Sequence, residues 1–326
     1  MNKKQLRALL LSIVLSSAAY GLWVGLSDPT KIGNALNKIG IQGCIVLLAL
    51  SLVNYLLRFA RYHWMMKHIG DKVPTLPNLL YYLSGFALTT TPGKAGESIR
   101  YIYLKPYKVP FKHAIAILLT ERLLDLLAVW FIALLGIWTF EEYRWVIILT
   151  AVICTVAIIL IQQPLTIKVL NHYAKKSEGK LIGKICHFGA ETCERTKELL
   201  AAKPLLIGCA LGIMSWGAEA IGFVYLIDLL GYDLNGYMVA AIYSAAMLVG
   251  ALSFLPGGLG GAEITMHLLL MALSVSDADS VAATLICRIA TLWFAVLIGI
   301  LVMCYLEVVS SHAPKKTETD HSDATV

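Results

Sequence analysis

The chain has 326 residues, of which 58% are hydrophobic and only 15% are charged, and its mean hydropathy is +0.72. Because soluble domains carry about 25% charged residues, this composition excludes an ordinary soluble protein and predicts an all-α, polytopic integral membrane protein. The net charge of +6 does not indicate nucleic-acid binding, since the basic residues lie between apolar runs, where membrane topology accounts for them.

The first apolar run, residues 8–26, follows a basic N-terminus and is about as long as the 20 residues that a helix needs to cross a bilayer. We interpret residues 1–39 as a first transmembrane helix and a loop. A cleaved signal peptide is the alternative, because residues 16–21 are rich in small side chains.

Five later runs are also long enough to span a bilayer, which predicts about six full spans: residues 40–62, 114–140, 145–161, 204–230 and 281–308. Two more apolar runs, residues 79–104 and 238–273, are interrupted by the sequences TTTPGKAGE (89–97) and SFLPGGLGGAE (253–263). Interrupted hydrophobic segments at matching places in two halves of a membrane protein are typical of transporter substrate sites.

The distribution of Lys and Arg favours re-entrant hairpins over full crossings at these two breaks. If both broken segments crossed the membrane, the stretch 162–203, with eight basic residues, would lie outside, against the rule that cytoplasmic loops carry the positive charge. If each segment enters and returns, the basic segments 67–72, 105–112 and 162–203 and both termini are cytoplasmic.

This topology predicts an inverted repeat. Residues 40–140 form the first unit, with hairpin 79–104, and residues 204–308 form the second, with hairpin 238–273. A linking helix and a basic cytoplasmic loop (141–203) join the units, and a disordered cytoplasmic tail (309–326) follows. The hairpin tips are expected to meet near the middle of the bilayer.

The tips contain Pro and Gly residues just before a short helix, whose N–H groups and dipole favour a phosphate. The alternative is a structural kink at which glycine permits close helix packing. The backbone residues that we predict to bind substrate are Pro92, Gly93, Gly96, Gly257, Gly258, Gly260 and Gly261.

Charged residues complete the predicted site. An arginine follows each tip glutamate by 25 residues: Arg122 after Glu97 and Arg288 after Glu263. Because charges are costly in hydrocarbon, we expect the two pairs to form, with the arginines holding a lipid phosphate bidentately. Helix capping and a structural ion pair are the alternatives.

Other charges near the breaks have two interpretations each. Lys94 and Arg100 contact the phosphate or extend to the membrane surface. Glu121 and Asp125, one helical turn apart, belong to a proton path or to further arginine pairs. The candidates for proton coupling are Glu97, Glu121, Asp125, Glu219 and Glu263.

Four segments carry a resemblance to a known family: PGKAGE (92–97), ERLLDLL (121–127), LPGGLGGAE (255–263) and CRIATLWFAVLIG (287–299). The chain resembles the lysylphosphatidylglycerol synthase transmembrane, or flippase-like, family of UPF0104-type membrane proteins. The resemblance implies a bacterial or archaeal cytoplasmic (inner) membrane and a lipid flippase. We expect no aminoacyl-transferase domain after residue 308, and the resemblance therefore leaves the lipid open, including polyprenyl-linked sugars.

We therefore expect a flippase for a phosphate-bearing lipid, with an anionic membrane lipid as its partner. One alternative is an enzyme acting on a lipid phosphate with Glu97 or Glu263 as base. The other is a non-transporting partner of a lipid-modifying enzyme or glycosyltransferase. The sequence has no metal cluster, Ser/His/Asp set or nucleotide motif, so we expect neither catalysis nor a cofactor nor a metal.

Overall fold

The computed structural model of the protein describes residues 29–138, 141, 144–177 and 180–312. All regular secondary structure in these residues is helical. The predictions for residues 8–26, and for the tail beyond residue 312, lie outside the described residues.

Long apolar runs become helices because a helix satisfies every backbone hydrogen-bonding group within its own segment. The α-helices are α1 Pro29–His68, α2 Thr75–Ser84, α3 Tyr101–Leu104, α4 Phe111–Ala133, α5 Arg144–Gln162, α6 Pro164–Lys176, α7 Leu181–Leu199, α8 Ala202–Leu229, α9 Gly236–Leu252, α10 Gly261–Ala272, α11 Asp277–Arg288 and α12 Phe294–His312. Short 3-10 helices include Gly85–Leu88, Pro92–Arg100 and Pro256–Gly258, and a π-helix, Ile289–Trp293, joins α11 to α12.

Four described segments are long and apolar enough to cross a membrane: Gly33–His68, Arg144–Gln162, Ala202–Leu229 and Asp277–Val309. Helix α4 has 23 residues, which is sufficient length, but it carries several charges. The chain is thus an all-helical integral membrane protein, and the count of six full spans stays a prediction.

The first broken segment folds into a helical hairpin, residues 75–104, which we call the first hairpin. The chain enters through α2, changes direction at residues 85–92 and returns through the 3-10 helix Pro92–Arg100 and α3. Asp71, before the hairpin, lies 3.0 Å from Nδ1 of His113, after it. The hairpin therefore begins and ends at one place.

The second hairpin, residues 236–272, consists of α9 and α10 packed against each other. The side chain of Asn235 caps α9 and that of Ser276 caps α11, as expected of residues that accept from free N–H groups at helix starts. The hydroxyl of Tyr232, before the hairpin, donates to Asp279, after it, at 2.8 Å. This hairpin also begins and ends at one place.

The two hairpins open at opposite ends of the molecule. Lys38, near the start of α1, lies 3.5 Å from Asp279 at the base of the second hairpin. Asp71, at the base of the first hairpin, comes just after the end of α1. The helix between these points, residues 41–68, is about 40 Å long at 1.5 Å per residue.

Each hairpin packs on a helix of the other half of the chain. The first hairpin contacts α12, and α9 of the second hairpin contacts α4, while α1 and α8 pack along each other. A glycine at position 299 permits one of these contacts, because a Cβ there would lie 2.1 Å from the backbone nitrogen of Ala87. Each broken segment is thus packed against a helix of the opposite half.

Three details differ from the sequence predictions. Helix α1 continues to His68, so Arg58 and Arg61 lie inside it and are not at the end of a span. The return segment of the first hairpin is mainly a 3-10 helix, and Glu97 is its sixth residue, so Glu97 does not cap a helix start. The predicted loop 162–203 contains two helices, α6 and α7, since its apolar residues recur at helical spacing.

Candidate functional site

The two Pro/Gly breaks meet. The 3-10 helix Pro92–Arg100 contacts the 3-10 helix Pro256–Gly258, and a Cβ added to Gly257 would lie 3.6 Å from Cα of Thr90. Gly257, Gly258 and Gly260 have φ values of +65°, +68° and +87°, in the region that glycine adopts without steric cost. The glycines thus permit both the turn and the close approach.

A cavity of about 320 Å³ lies beside this contact. Four basic residues line it: Arg58, Lys94, Arg122 and Arg288. Its acidic lining residues are Asp125 and Glu219. Aromatic and aliphatic side chains form most of the remaining wall and include Tyr55, Phe86, Leu126, Val129, Ile153, Trp216, Tyr243, Met247, Leu248, Leu252, Phe254 and Leu255.

The predicted pairing of Arg122 with Glu97 is present. Nη2 of Arg122 donates to Oε2 of Glu97 at 3.2 Å, and the hydroxyl of Thr89 donates to Oε1 at 3.0 Å. Arg122 also lies 3.5 Å from Asp125. Glu97 is buried behind the cavity wall and orients an arginine that faces the cavity.

The equivalent pair in the second half is also present. Nε of Arg288 donates to Oε1 of Glu263 at 2.6 Å, and Nη2 donates to the carbonyl of Gly257 at 2.6 Å. The backbone N–H of Gly260 donates to Oε2 of Glu263 at 2.7 Å, so this glutamate also caps α10, which is the capping alternative. Arg288 thus binds both the second break and the helix that follows the break. That helix begins at Gly261.

A second cationic group was missed by the sequence analysis. Arg58 and Arg61 of α1 lie 3.3 and 2.5 Å from the carboxylate of Asp125, and Nε1 of Trp216 donates to it at 3.1 Å. Of the two interpretations of Asp125, a proton path or further pairing with arginine, the geometry agrees with pairing. The sequence did contain a signal for this contact. Arg58 and Arg61 lie three residues apart in an apolar segment, and Asp125 lies in another apolar segment and needed a basic partner.

Lys94 has no acidic side-chain partner within ion-pair distance in the described part of the chain. Its ammonium lies 5.6 Å from the ring centre of Trp216, a cation–π distance. Its φ of +55° is unusual for a residue with a side chain. The cavity wall therefore includes a lysine whose charge the neighbouring acids do not neutralise by direct contact.

Arg100 and Glu121 take a different position from the cavity residues. They form a buried ion pair, and the Arg100 guanidinium lies 4.3 Å from the ring centre of Tyr62. Neither residue lines the cavity. Gly96 packs inside the first hairpin, where its N–H donates to Thr91 at 2.7 Å.

The backbone of Pro92 and Gly93 begins the return segment of the first hairpin. Glu219 lines the cavity and accepts a hydrogen bond from Tyr243.

No group of three or more His, Cys, Asp or Glu side chains converges on a possible metal position in the ranges that the structure covers, and the predicted absence of metals and cofactors stays a prediction.

Comparisons with known proteins agree on one family. Residues 9–299 match the model of the lysylphosphatidylglycerol synthase TM region. A UPF0104 membrane protein of Methanothermobacter thermautotrophicus is 25% identical over 319 residues, which cover 90% of this chain and 94% of the relative. A UPF0104 membrane protein of Pyrococcus horikoshii is 23% identical over 308 residues, which cover 85% of this chain and 90% of the relative.

Proposed function

Because this chain belongs to the lysylphosphatidylglycerol synthase TM region family, we propose that it is a flippase, which moves a lipid with a phosphate-bearing headgroup across the membrane. The headgroup binds in the cavity between the hairpin tips, and the acyl or prenyl chains stay in the bilayer. The single observation that carries this proposal is the convergence of Arg58, Lys94, Arg122 and Arg288 on one cavity inside a membrane protein.

The proposed topology is a pair of re-entrant hairpins in an inverted repeat. The hairpin bases at opposite ends, and the packing of each hairpin on the opposite half, support it. Lys112, in the first turn of α4, lies 2.5 Å from Glu191 of α7, so the basic segments 105–112 and 162–203 share one end of the molecule. By the positive-inside rule that end is cytoplasmic, and the protein resides in the cytoplasmic membrane.

The cavity suits an anion of low charge. Around it lie five basic side chains and four acidic ones: Arg58, Arg61, Lys94, Arg122, Arg288, Glu97, Asp125, Glu219 and Glu263. With all of them ionised, one positive charge is in excess. A phosphodiester contributes one negative charge and neutralises it.

Arginine geometry favours phosphate over other anions, because the planar guanidinium donates in parallel to two oxygens. Nε of Arg58 and Nε of Arg122 are buried and have no hydrogen-bond partner among the described residues. A buried donor without a partner costs about 1–3 kcal/mol. A bound phosphate that reached these groups would relieve part of that cost.

The cavity wall also explains why we propose a lipid rather than a soluble phosphate. Three of its large apolar residues are exposed on the protein surface: Ile153 of α5, and Phe254 and Leu255 at the tip of the second hairpin, with Phe254 72% exposed. In a bilayer such surfaces contact lipid tails. A headgroup in the cavity could thus remain attached to chains that extend sideways past these residues.

The test is a fluorescence assay of lipid movement in proteoliposomes. Vesicles contain phosphatidylglycerol or phosphatidylcholine with a nitrobenzoxadiazole label, and dithionite bleaches only the outer leaflet. We expect protein-dependent loss of the protected phosphatidylglycerol signal. Arg195→Ala, in α7, where Arg195 pairs with Glu198 at 3.0 Å, is the surface control and should behave like the wild type.

Two variants separate transport from folding. Arg288→Ala should reduce the rate at least tenfold, but it leaves Glu263 buried without its partner and can unfold the protein. Lys94→Gln removes a cation that pairs with no acid of the described chain and should slow movement while the protein stays folded. Bleaching no faster than in protein-free vesicles, for each anionic lipid tested, would refute the proposal.

A further inference from the structure

Five acidic residues of the broken segments and their neighbouring helices are buried, and Glu219 differs from the other four. Glu97, Glu121, Asp125 and Glu263 each contact an arginine. Glu219 accepts a hydrogen bond from the hydroxyl of Tyr243. It forms no ion pair of 4.0 Å or less in the described part of the chain, where Arg58 and Arg288 pair with Asp125 and Glu263. Its negative charge is the one that no direct ion pair compensates.

Glu219 also lies between two cavities. It lines the large cavity, and it lines a second cavity of about 10 Å³ on the side of α1 and α11, next to Ser51, Cys287 and Thr291. A volume of about 10–15 Å³ is the minimum for one water molecule. Glu219 therefore lines a small, mostly apolar space at the lower size limit for one water molecule, as well as the large cavity with its cationic wall.

We propose that Glu219 is a proton-binding site whose occupancy is coupled to the binding of an anionic headgroup in the large cavity. This inference rests on the proposed function. A phosphate in the cavity repels a negative charge at Glu219 through Coulomb interaction, which is strong where water is excluded. Headgroup binding therefore promotes proton uptake, and by thermodynamic reciprocity protonation strengthens headgroup binding by the same factor.

The charge of the cavity gives the direction of this coupling. With Glu219 ionised, the groups around the cavity carry one excess positive charge, and with Glu219 protonated they carry two. An anionic lipid thus binds more tightly at lower pH. The charged and titratable residues that line the two cavities together with Glu219 are Tyr55 and Arg58 of α1, Lys94 of the first break, Arg122 and Asp125 of α4, Tyr243 of α9, and Cys287 and Arg288 of α11.

Tyr243 connects the proton site to the second hairpin. Its hydroxyl donates to the carboxylate across the contact between α8 and α9. A donated hydrogen bond stabilises the ionised form of a carboxyl group. Removal of the hydroxyl in Tyr243→Phe should therefore allow Glu219 to bind its proton at a higher pH.

The first experiment tests the proton site without an added anionic lipid. The protein is placed in phosphatidylcholine nanodiscs, and infrared difference spectra are recorded while the pH is lowered. We expect a carbonyl stretching band of a protonated carboxylic acid that is absent in Glu219→Gln and shifted to higher pH in Tyr243→Phe. Glu194→Gln, on the exposed face of α7, is the matched control and should retain the band.

The second experiment measures the coupling. Phosphatidylglycerol is added to the protein in weakly buffered detergent with a pH indicator. The wild type should take up at most one proton per bound lipid, and its affinity should change up to about tenfold per pH unit, the limit for one linked proton. Glu219→Gln should bind the lipid without proton uptake.

The outcomes separate this inference from the proposed function. A band unchanged in Glu219→Gln would refute the proton site. Phosphatidylglycerol binding that is pH-independent in the wild type would refute the coupling and leave the flippase proposal intact. A wild type that binds no anionic lipid at any pH would refute both, even where the infrared band depends on Glu219.

Discussion

Replacement of Gly299 by alanine tests the packing that holds the first hairpin. Gly299 lies in α12, and an added Cβ would stand 2.1 Å from the backbone nitrogen of Ala87 and 2.6 Å from the carbonyl carbon of Phe86. Cβ atoms essentially never lie within 3.0 Å of a heavy atom from a distant part of the chain. The obstructing atoms belong to the backbone, so the whole 3-10 helix Gly85–Leu88 must move away.

Two opposing effects determine how much Gly299→Ala changes the free energy of unfolding. Alanine favours a helix over glycine by about 1 kcal/mol. Overpacking costs about 1–3 kcal/mol, and three backbone contacts below 3.0 Å place Gly299→Ala at the upper end of that range. We expect a net destabilisation of about 2 kcal/mol.

Gly217 provides the matched control, since it lies in α8 and an added Cβ would have no neighbour within 4 Å. Gly217→Ala should be unchanged or up to about 1 kcal/mol more stable. Stability is measured as the temperature at which the detergent-solubilised protein loses its monodisperse chromatographic peak. If Gly299→Ala melts no lower than Gly217→Ala, the first hairpin does not pack on α12 as described.

Three further predictions concern the site and the topology. Lys94→Gln should bind phosphatidylglycerol about tenfold more weakly, equivalent to about 1.4 kcal/mol, at an unchanged melting temperature. Native mass spectrometry measures the affinity, and an unchanged affinity would show that this lysine does not contribute to the site. Arg288→Ala should lose about 3–5 kcal/mol of stability, and the addition of Glu263→Gln should restore part of it, whereas a double variant as unstable as the single one would contradict the buried pair. Cysteines introduced singly for Lys112 and Asp279 should react with an impermeant maleimide from opposite sides of the membrane, and labelling from the same side would refute the topology.

The breaks and their charges were predictable because both violate the normal composition of a membrane segment. Pro and Gly interrupt apolar runs only where the backbone leaves the helix, and buried charges need partners. The equal spacing of Arg122 and Arg288 from their glutamates therefore indicated both pairs. The geometry confirms this pairing, although the role of either arginine in binding stays a prediction.

Other features depended on tertiary packing that no local pattern specifies. The extension of α1 to His68 places Arg58 inside the molecule beside Asp125, a contact across 67 residues of chain. The partner of Glu121 proved to be Arg100 rather than another residue of its own helix. The 3-10 geometry after Pro92 displaces Glu97 from a helix start.

Photochemical labelling tests the central claim most directly. A phosphatidylglycerol analogue with a diazirine beside its phosphate is irradiated in proteoliposomes, and the labelled peptides are identified by mass spectrometry. We expect adducts at the cavity wall, near Lys94, Arg122 and Gly257, which are absent with a diacylglycerol analogue that lacks the phosphate. Adducts confined to α6 and α7, with none near the hairpin tips, would contradict the claim.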